Sequence, residues 1–260
     1  MTAPKQNEPQ PDLFARWEVQ QTAYIADRDR VYEVMLEVLT HLRPAEDLVV
    51  LDLACGPGAI SSRLLDRLPK ARSVAVDVDP VLLAIGQGAV GDVDGRLRWV
   101  RADLRDPDWP TALGDDGVDG TFDAVLSSTA LHWLDPAVLA ATYRHAFGLL
   151  RPGGVLLNAD YLPHPPGSRL RSVCDALALD RRNHALARGA ESWETWWEAV
   201  EAEPELADAL AVRATLWPEG ARDWTAASHR FNEAALLDAG FAEAGVVWQD
   251  LQERVVVGLR

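Results

Sequence analysis

The chain has 260 residues, 48% of them hydrophobic and 25% charged, enough for one full core plus a cap in an ordinary soluble protein. Asp plus Glu number 40 against Lys plus Arg 25, and the resulting charge of −15 argues against a nucleic-acid partner. Two distant cysteines without a CxxC pair argue against a metal site or disulfide framework, and no apolar run approaches the roughly 20 residues of a membrane span.

In chain order, Met1 to Pro11 is a polar tail that reads as disordered and resembles neither a signal nor a transit peptide. The expected location is the cytoplasm, and the Lys-poor, Ala-, Arg-, Asp- and Gly-rich composition suggests a GC-rich bacterial genome. Phe14 to Ile25 sets Phe14, Trp17, Tyr24 and Ile25 among polar residues. Asp29 to Leu42 then carries Val31, Val34, Met35, Val38, Leu39 and Leu42 at helical spacing. Leu48 to Leu51 reads as a buried strand ended by Asp52. Gly56-Pro57-Gly58 follows as a tight turn, and Ile60, Leu64, Leu65 and Leu68 share one helical face.

Strands and helices now alternate. Arg72 to Val76 is a second strand ending at Asp77, and Pro80 opens a helix to about Ala89. Leu97 to Val100 is a third strand closed by Asp103. Phe122 to Leu126 is a fourth, followed by Ser127, and Pro136 opens a helix to about Leu150. Val155 to Asn158 is a fifth. Repeated strand–helix units predict a doubly wound α/β fold with a mainly parallel sheet. Tyr161 to Arg230 breaks the rhythm. Leu170, Val173, Cys174 and Leu177 share a helical face there, and the stretch holds Trp193, Trp196, Trp197, Trp217 and Trp224. It reads as a helical cap over the sheet's carboxyl edge. Asn232 to Ala239 is a helix broken by Gly240. Val246 to Leu251 and Arg254 to Leu259 are expected to pair as an antiparallel hairpin, completing seven strands.

Asp52, Asp77, Asp103 and Ser127 fall at or just past successive strand ends, the edge where an open α/β sheet binds ligands. Asp also caps helices and starts turns, so each alone is ambiguous; their joint order points to a nucleotide-like cofactor. A glycine turn before a helix lets backbone approach such a ligand, and a carboxylate one strand later suits a ribose diol.

The motifs LDLACGPG, VAVDVDP, RADL, FDAVLSSTALHWL and LRPGGVLL together resemble class I S-adenosylmethionine-dependent methyltransferases over about Leu48 to Asp160 plus the terminal hairpin. The phrases ALHWL and Trp17…Gln21…Tyr24…Arg28 resemble small-molecule enzymes of the trans-aconitate methyltransferase sort. The resemblance implies S-adenosylmethionine as cofactor. It implies that Asp52, Ala54, Gly56 and Gly58 wrap its methionine part, Asp77 with Val78 holds the ribose, and Asp103 with Leu104 meets the adenine. Ser127 is expected near the reacting methyl, with Tyr24 and Arg28 closing over the methionyl carboxylate or binding an anionic substrate, and a plain helix-surface role as the competing account. Ala54 stands where the family usually has glycine.

The resemblance also implies a division into an N-terminal helical lid (1–46), a cofactor-binding core (47–160), a substrate cap (161–230) and a closing helix and hairpin (231–260). His132, just past a strand end, is the candidate catalytic base, with packing or loop capping as the other reading. Trp133, Tyr161, Trp193 and Trp197 are candidate pocket and substrate contacts, with core packing the competing account of the tryptophans. Methyl transfer from a sulfonium is an in-line displacement whose leaving group needs no protonation, so neither a metal nor a Ser-His-Asp arrangement is required. The expected acceptor is a small molecule, a carboxylate or secondary metabolite. An NAD-dependent oxidoreductase or a non-catalytic S-adenosylmethionine-binding protein remain alternatives, and oligomeric state is not legible.

Overall fold

Strand β1 (Val49–Leu53) is buried along its whole length, because apolar layers cover both faces of the sheet. Val49, Leu51 and Leu53 enter one core while Leu48 and Val50 enter the other, the two-residue alternation of a strand covered on both sides. The strand therefore runs through Asp52 and does not stop at it, and that carboxylate is carried inside the last turn of the sheet's edge. The computed structural model describes residues 12–25, 27–117, 120–217 and 226–260. The expected tail 1–11, two residues of the acidic 114–120 loop and Trp224 lie outside the described residues.

The remaining strands are β2 (Arg72–Asp77), β3 (Leu97–Arg101), β4 (Phe122–Ser128), β5 (Leu150–Tyr161), β6 (Glu243–Asp250) and β7 (Glu253–Leu259). They form one seven-stranded sheet in the order β3-β2-β1-β4-β5-β7-β6. Strands β1 to β5 are parallel, and β7 inserts antiparallel to both β5 and β6. The expected fold and terminal hairpin are both present.

The helices are α1 (Leu13–Gln21), α2 (Arg28–Leu42), α3 (Ala59–Arg67), α4 (Pro80–Ala89), α5 (Pro136–Leu149), α6 (Arg169–Ala187), α7 (Trp193–Glu201), α8 (Ala207–Leu216) and α9 (His229–Ala239). Their starts follow local chemistry. Asp79 and Asp135 accept from the first free N–H groups of α4 and α5, each with proline in the opening turn, and Ser168, Ser192 and Ser228 cap α6, α7 and α9. Gly240 ends α9 in the left-handed conformation.

Helices α5 and α9 cover one face of the sheet through Leu139, Tyr143, Ala146 and Leu236, and α2 and α3 cover the other through Met35, Leu39, Leu64 and Leu65. Within residues 1–46, α2 is thus a core layer, and α1 is the element that meets the cap. A third apolar cluster joins Trp17 of α1 and Val81 and Ile85 of α4 to Trp196, Val200 and Leu206. Trp196 is fully buried there, its ring centroid 4.8 Å from that of Trp17 and its indole N–H donating to the Leu13 carbonyl at 3.0 Å. The tryptophan row on α7 packs that helix onto α1 and α4, and Trp193 and Trp197 also reach the cavity described below.

Helix α6 departs from the amphipathic expectation: none of its residues is buried. Leu170, Val173 and Leu177 are 64%, 56% and 45% exposed, whereas Cys174, on the flank of that row, borders the cavity below. The helix bridges solvent and cavity with no core behind it, so its apolar row has no protein surface to bury against.

Candidate active site

A cavity of about 1260 Å³ opens between the carboxyl ends of β1, β2 and β4 and the helices α6 to α8. It exceeds the roughly 300–1,000 Å³ of a typical single-ligand pocket. Its floor is the β1–α3 turn, in which Ala54 (φ 53°), Gly56 (φ 54°) and Gly58 (φ 87°) are all left-handed. Alanine in that region is strained, and the turn carries it where glycine would be relaxed.

Three carboxylates border this floor. Asp77 accepts from the Gly56 N–H at 2.7 Å and the Asp79 N–H at 2.8 Å, tying the end of β2 to the turn. Asp52 accepts from the Ser61 hydroxyl at 2.7 Å and N–H at 3.2 Å through one oxygen, while its Oδ1 is buried with no hydrogen-bond partner. Burial pushes the Asp52 carboxyl up to about 7 and Asp77 up to about 6, each further raised by a neighbouring carboxylate. A cation placed between them would restore both to their charged forms. Asp103 differs: it is partly exposed, and although burial opposes its ionisation, bidentate pairing with Arg105 holds its carboxyl below the ordinary range.

Of the residues singled out from sequence, Tyr24, Arg28, Asp52, Ala54, Gly56, Asp77, Val78, Asp103, Leu104, His132, Trp133, Tyr161, Trp193 and Trp197 all line this one cavity. Two do not. Ser127 is buried on β4 and donates to the Leu53 carbonyl at 2.8 Å, and Ser128 and Thr129 take the cavity side, because the strand alternates its faces. Gly58 caps α3 with φ 87°, and a Cβ there would meet Cη2 of Trp99 at 2.4 Å, so it serves packing behind the turn. Burial pushes the Cys55 thiol up, consistent with a small packing residue. Next to α1, the Trp193 N–H donates to the Tyr24 hydroxyl at 2.9 Å, and Arg28 is buried and paired with Glu18 at 2.9 Å.

Sequence reasoning missed three functional neighbours. Asp160, at the end of β5, accepts from both Nδ1 and the backbone N–H of His132, the latter at 2.9 Å. Burial opposes charging of the His132 imidazole, yet Asp160, with Glu253 behind it, outweighs that and holds its pKa above the ordinary value. Glu253 also borders the cavity, its carboxyl pushed up to about 7 by burial and by Asp160. Arg213 of α8 donates to Asp79 at 2.7 Å and lies 3.8 Å over the Trp197 ring, fastening the cap beside the floor. Asp160 could have been found as one more carboxylate at a strand end; Glu253 and Arg213 have no local signal.

A methyltransferase-domain family model matches residues 50–154. An uncharacterized methyltransferase of Mycobacterium tuberculosis is 32% identical over 175 residues, covering 67% of this chain and 80% of that one. The chain belongs to the class I S-adenosylmethionine-dependent methyltransferases. The trans-aconitate 2-methyltransferase of Azoarcus is 28% identical over 251 residues, 88% of this chain and 89% of that one. Among solved structures, an O-methyltransferase family protein from Burkholderia thailandensis has a TM-score of 0.58 at 19% identity, covering 96% of this chain and 60% of that chain. Magnesium protoporphyrin IX methyltransferase from Synechocystis, with S-adenosylhomocysteine bound, gives 0.52 at 16% identity over all of this chain and 90% of the other. These likenesses do not favour the NAD-dependent alternative, and S-adenosylmethionine is the cofactor of this methyltransferase. No helix among the described residues is long and apolar enough to cross a membrane.

Proposed function

We propose that this methyltransferase acts on a small molecule enclosed between the sheet's carboxyl edge and the cap formed by α6 to α8. The observation that carries the reading is continuity: one cavity joins the strand-end carboxylates, His132 and the cap tryptophans, with room for two ligands. The lone Oδ1 of Asp52 fits the cationic methionyl end of the cofactor, since a buried acceptor without a partner costs about 1–3 kcal/mol that a ligand N–H would recover. Asp77 offers its remaining lone pairs to the ribose, Ala54, Gly56 and Val78 supply backbone, and Leu104 beside Asp103 supplies an adenine wall. When bound, S-adenosylmethionine supplies an electrophilic methyl group on a cationic sulfur. The protein's own work is to align the acceptor, exclude water under the cap, and hold a proton acceptor, His132, at the cap-side end. Trp133, Tyr161, Trp193 and Trp197 form the acceptor's walls, and α1 with Tyr24 and Arg28 forms the lid.

Calorimetric titration with S-adenosylmethionine, S-adenosylhomocysteine and NAD tests this. Binding of both sulfur ligands and not NAD, weakened in Asp52→Asn and Asp77→Asn, is expected. Unchanged affinity in both variants would remove the assignment of the floor, and release of a transferred methyl only to protein or RNA would remove the small-molecule acceptor.

A further inference from the structure

Acceptors for methyl transfer differ in what they ask of a protein. A carboxylate is already anionic, and a neutral amine attacks with its lone pair and sheds its proton afterwards. A hydroxyl oxygen becomes a competent nucleophile only as its proton leaves, so of these three it gains the most from a positioned base. The cap-side end of the cavity holds such a base. His132 sits in the short turn Leu131–Trp133 directly after β4, and Asp160 grips it twice, at Nδ1 and at its backbone N–H (2.9 Å). Asp160 is itself fixed: its side chain is fully buried and also accepts from the Tyr161 N–H at 2.9 Å. A carboxylate on Nδ1 keeps the proton there and makes Nε2 the basic atom, a tautomer set by the hydrogen-bond network.

The surrounding charges favour the same chemistry. Asp160 from β5, Glu253 from β7 and Asp250 at the end of β6 are acidic, and the Tyr161 ring lies 6.5 Å from the imidazole. Three of the nearby cations are engaged elsewhere, while Arg171 faces the Tyr161 hydroxyl and Arg182 and Arg188 line the cavity farther along α6. Arg254 donates to the Leu162 carbonyl and to His164, Arg28 pairs with Glu18, and Arg181 pairs with Asp250. Among the described residues no arginine or lysine forms an ion pair with Asp160 or Glu253, so neither carboxyl group is neutralised by a cation other than the imidazolium itself.

We infer that the acceptor atom is a hydroxyl oxygen of the phenol or enol kind, which gives its proton to His132 held by Asp160, and that a carboxylate is not the acceptor. The inference rests on the cavity being the methyl-transfer site. The acceptor oxygen bonds to the methyl carbon as the carbon–sulfur bond breaks, the electron pair stays on sulfur, and the hydroxyl proton passes to Nε2. Asp160 is a positioning residue, and Glu253 raises the basicity of the imidazole from the far side. Because His132 titrates above its ordinary value, the base form and the rate grow with pH through that raised value.

The test offers the full-length protein and S-adenosylmethionine three kinds of probe: hydroxyarenes (catechol and 1-naphthol), benzylamine, and trans-aconitate. Methylation of a hydroxyarene is expected, with kcat/KM rising with pH to a plateau. His132→Gln should lower kcat by about 10²–10⁴-fold while calorimetric affinity for S-adenosylhomocysteine is retained. Asp160→Asn and Glu253→Gln should both move the pH limb downward, and the His132 imidazole, followed by NMR titration without turnover, should move with it. Glu253 is at the cavity wall, so its variant remains informative if Asp160→Asn does not fold. Preference for trans-aconitate or benzylamine, no methylation of either hydroxyarene, a flat pH profile, or an imidazole that titrates unchanged in the variants overturns the inference. Failure of the wild-type protein to bind S-adenosylhomocysteine would instead overturn the reading of the cavity on which it rests.

Discussion

Replacing Gly58 by alanine separates a packing role for the glycine turn from a ligand-contacting one. At φ 87° an L side chain costs about 1–2 kcal/mol. The added Cβ would also lie 2.4 Å from Cη2 and 3.1 Å from Cζ3 of Trp99. That ring cannot retreat. Its indole N–H donates to the Gly91 carbonyl at 2.8 Å, and a Cβ on Gly86 would lie 2.5 Å from the same ring atom, so Gly86 already closes in on it. Overpacking of this kind costs about 1–3 kcal/mol, giving a total of roughly 2–5 kcal/mol. Equilibrium urea unfolding followed by circular dichroism measures it, with calorimetry of S-adenosylhomocysteine on the folded protein beside it. Adding Trp99→Leu should recover the steric share and leave the backbone share. A variant as stable as wild type but unable to bind the ligand would refute the reasoning and make Gly58 a direct contact.

Asp52 and Asp77 have folded-state values raised to about 7 and about 6, so the native state holds more protons than the unfolded chain between pH 4 and those values. Stability of the ligand-free protein should therefore fall as pH rises through that window, and Asp52→Asn should flatten the fall in a plot of Tm against pH; an unchanged slope would discount the burial argument. Trp196→Ala, at a fully buried site that also holds the Leu13 carbonyl, should cost about 3–5 kcal/mol and expose α1 to limited proteolysis before the sheet. Ala54→Gly should relieve backbone strain at φ 53° and raise Tm by a few degrees, since about 1 kcal/mol shifts a chain of this size by about 2–4 °C; a lower Tm would mean that the methyl group packs usefully.

The sheet was legible because each parallel strand is an apolar run closed by a polar residue, and because proline and aspartate mark the helix starts. The strand-end carboxylates were legible for the same reason. What failed were statements that need a third dimension. Ser127 and Ser128 are neighbours in sequence, and only the pleat decides which one meets the cavity. Gly58 and Gly56 look equivalent in a glycine turn until Trp99, from β3, is brought behind one of them. Helix α6 carries a clean apolar row, yet periodicity measures a face and not whether anything covers it. Asp160 and Glu253 meet His132 because β7 pairs with β5, setting Tyr161 opposite Glu253 and Asp160 opposite Arg254, a register that no local pattern encodes.

The cap's attachment follows from that absence of a core under α6. A helix that buries none of its own residues is held by polar bonds, here Gln252 and Tyr161 donating to Asp175 and Arg181 pairing with Asp250, while the tryptophan cluster fastens α7 and the Arg213–Asp79 pair fastens α8. Asp79 uses one oxygen to cap α4 and the other to hold Arg213, and its own N–H donates to Asp77. The carboxylate assigned to the ribose and the arginine that fastens the cap are thus two hydrogen bonds apart through one buried residue. The guanidinium lies over the Trp197 ring at 3.8 Å and the Trp217 ring at 5.1 Å, which keeps it partly out of water and makes the pair stronger than an exposed one. Any ligand that prefers Asp77 and Asp79 in this arrangement also prefers the cap in place, and by linkage an ordered cap raises affinity for that ligand by the same factor.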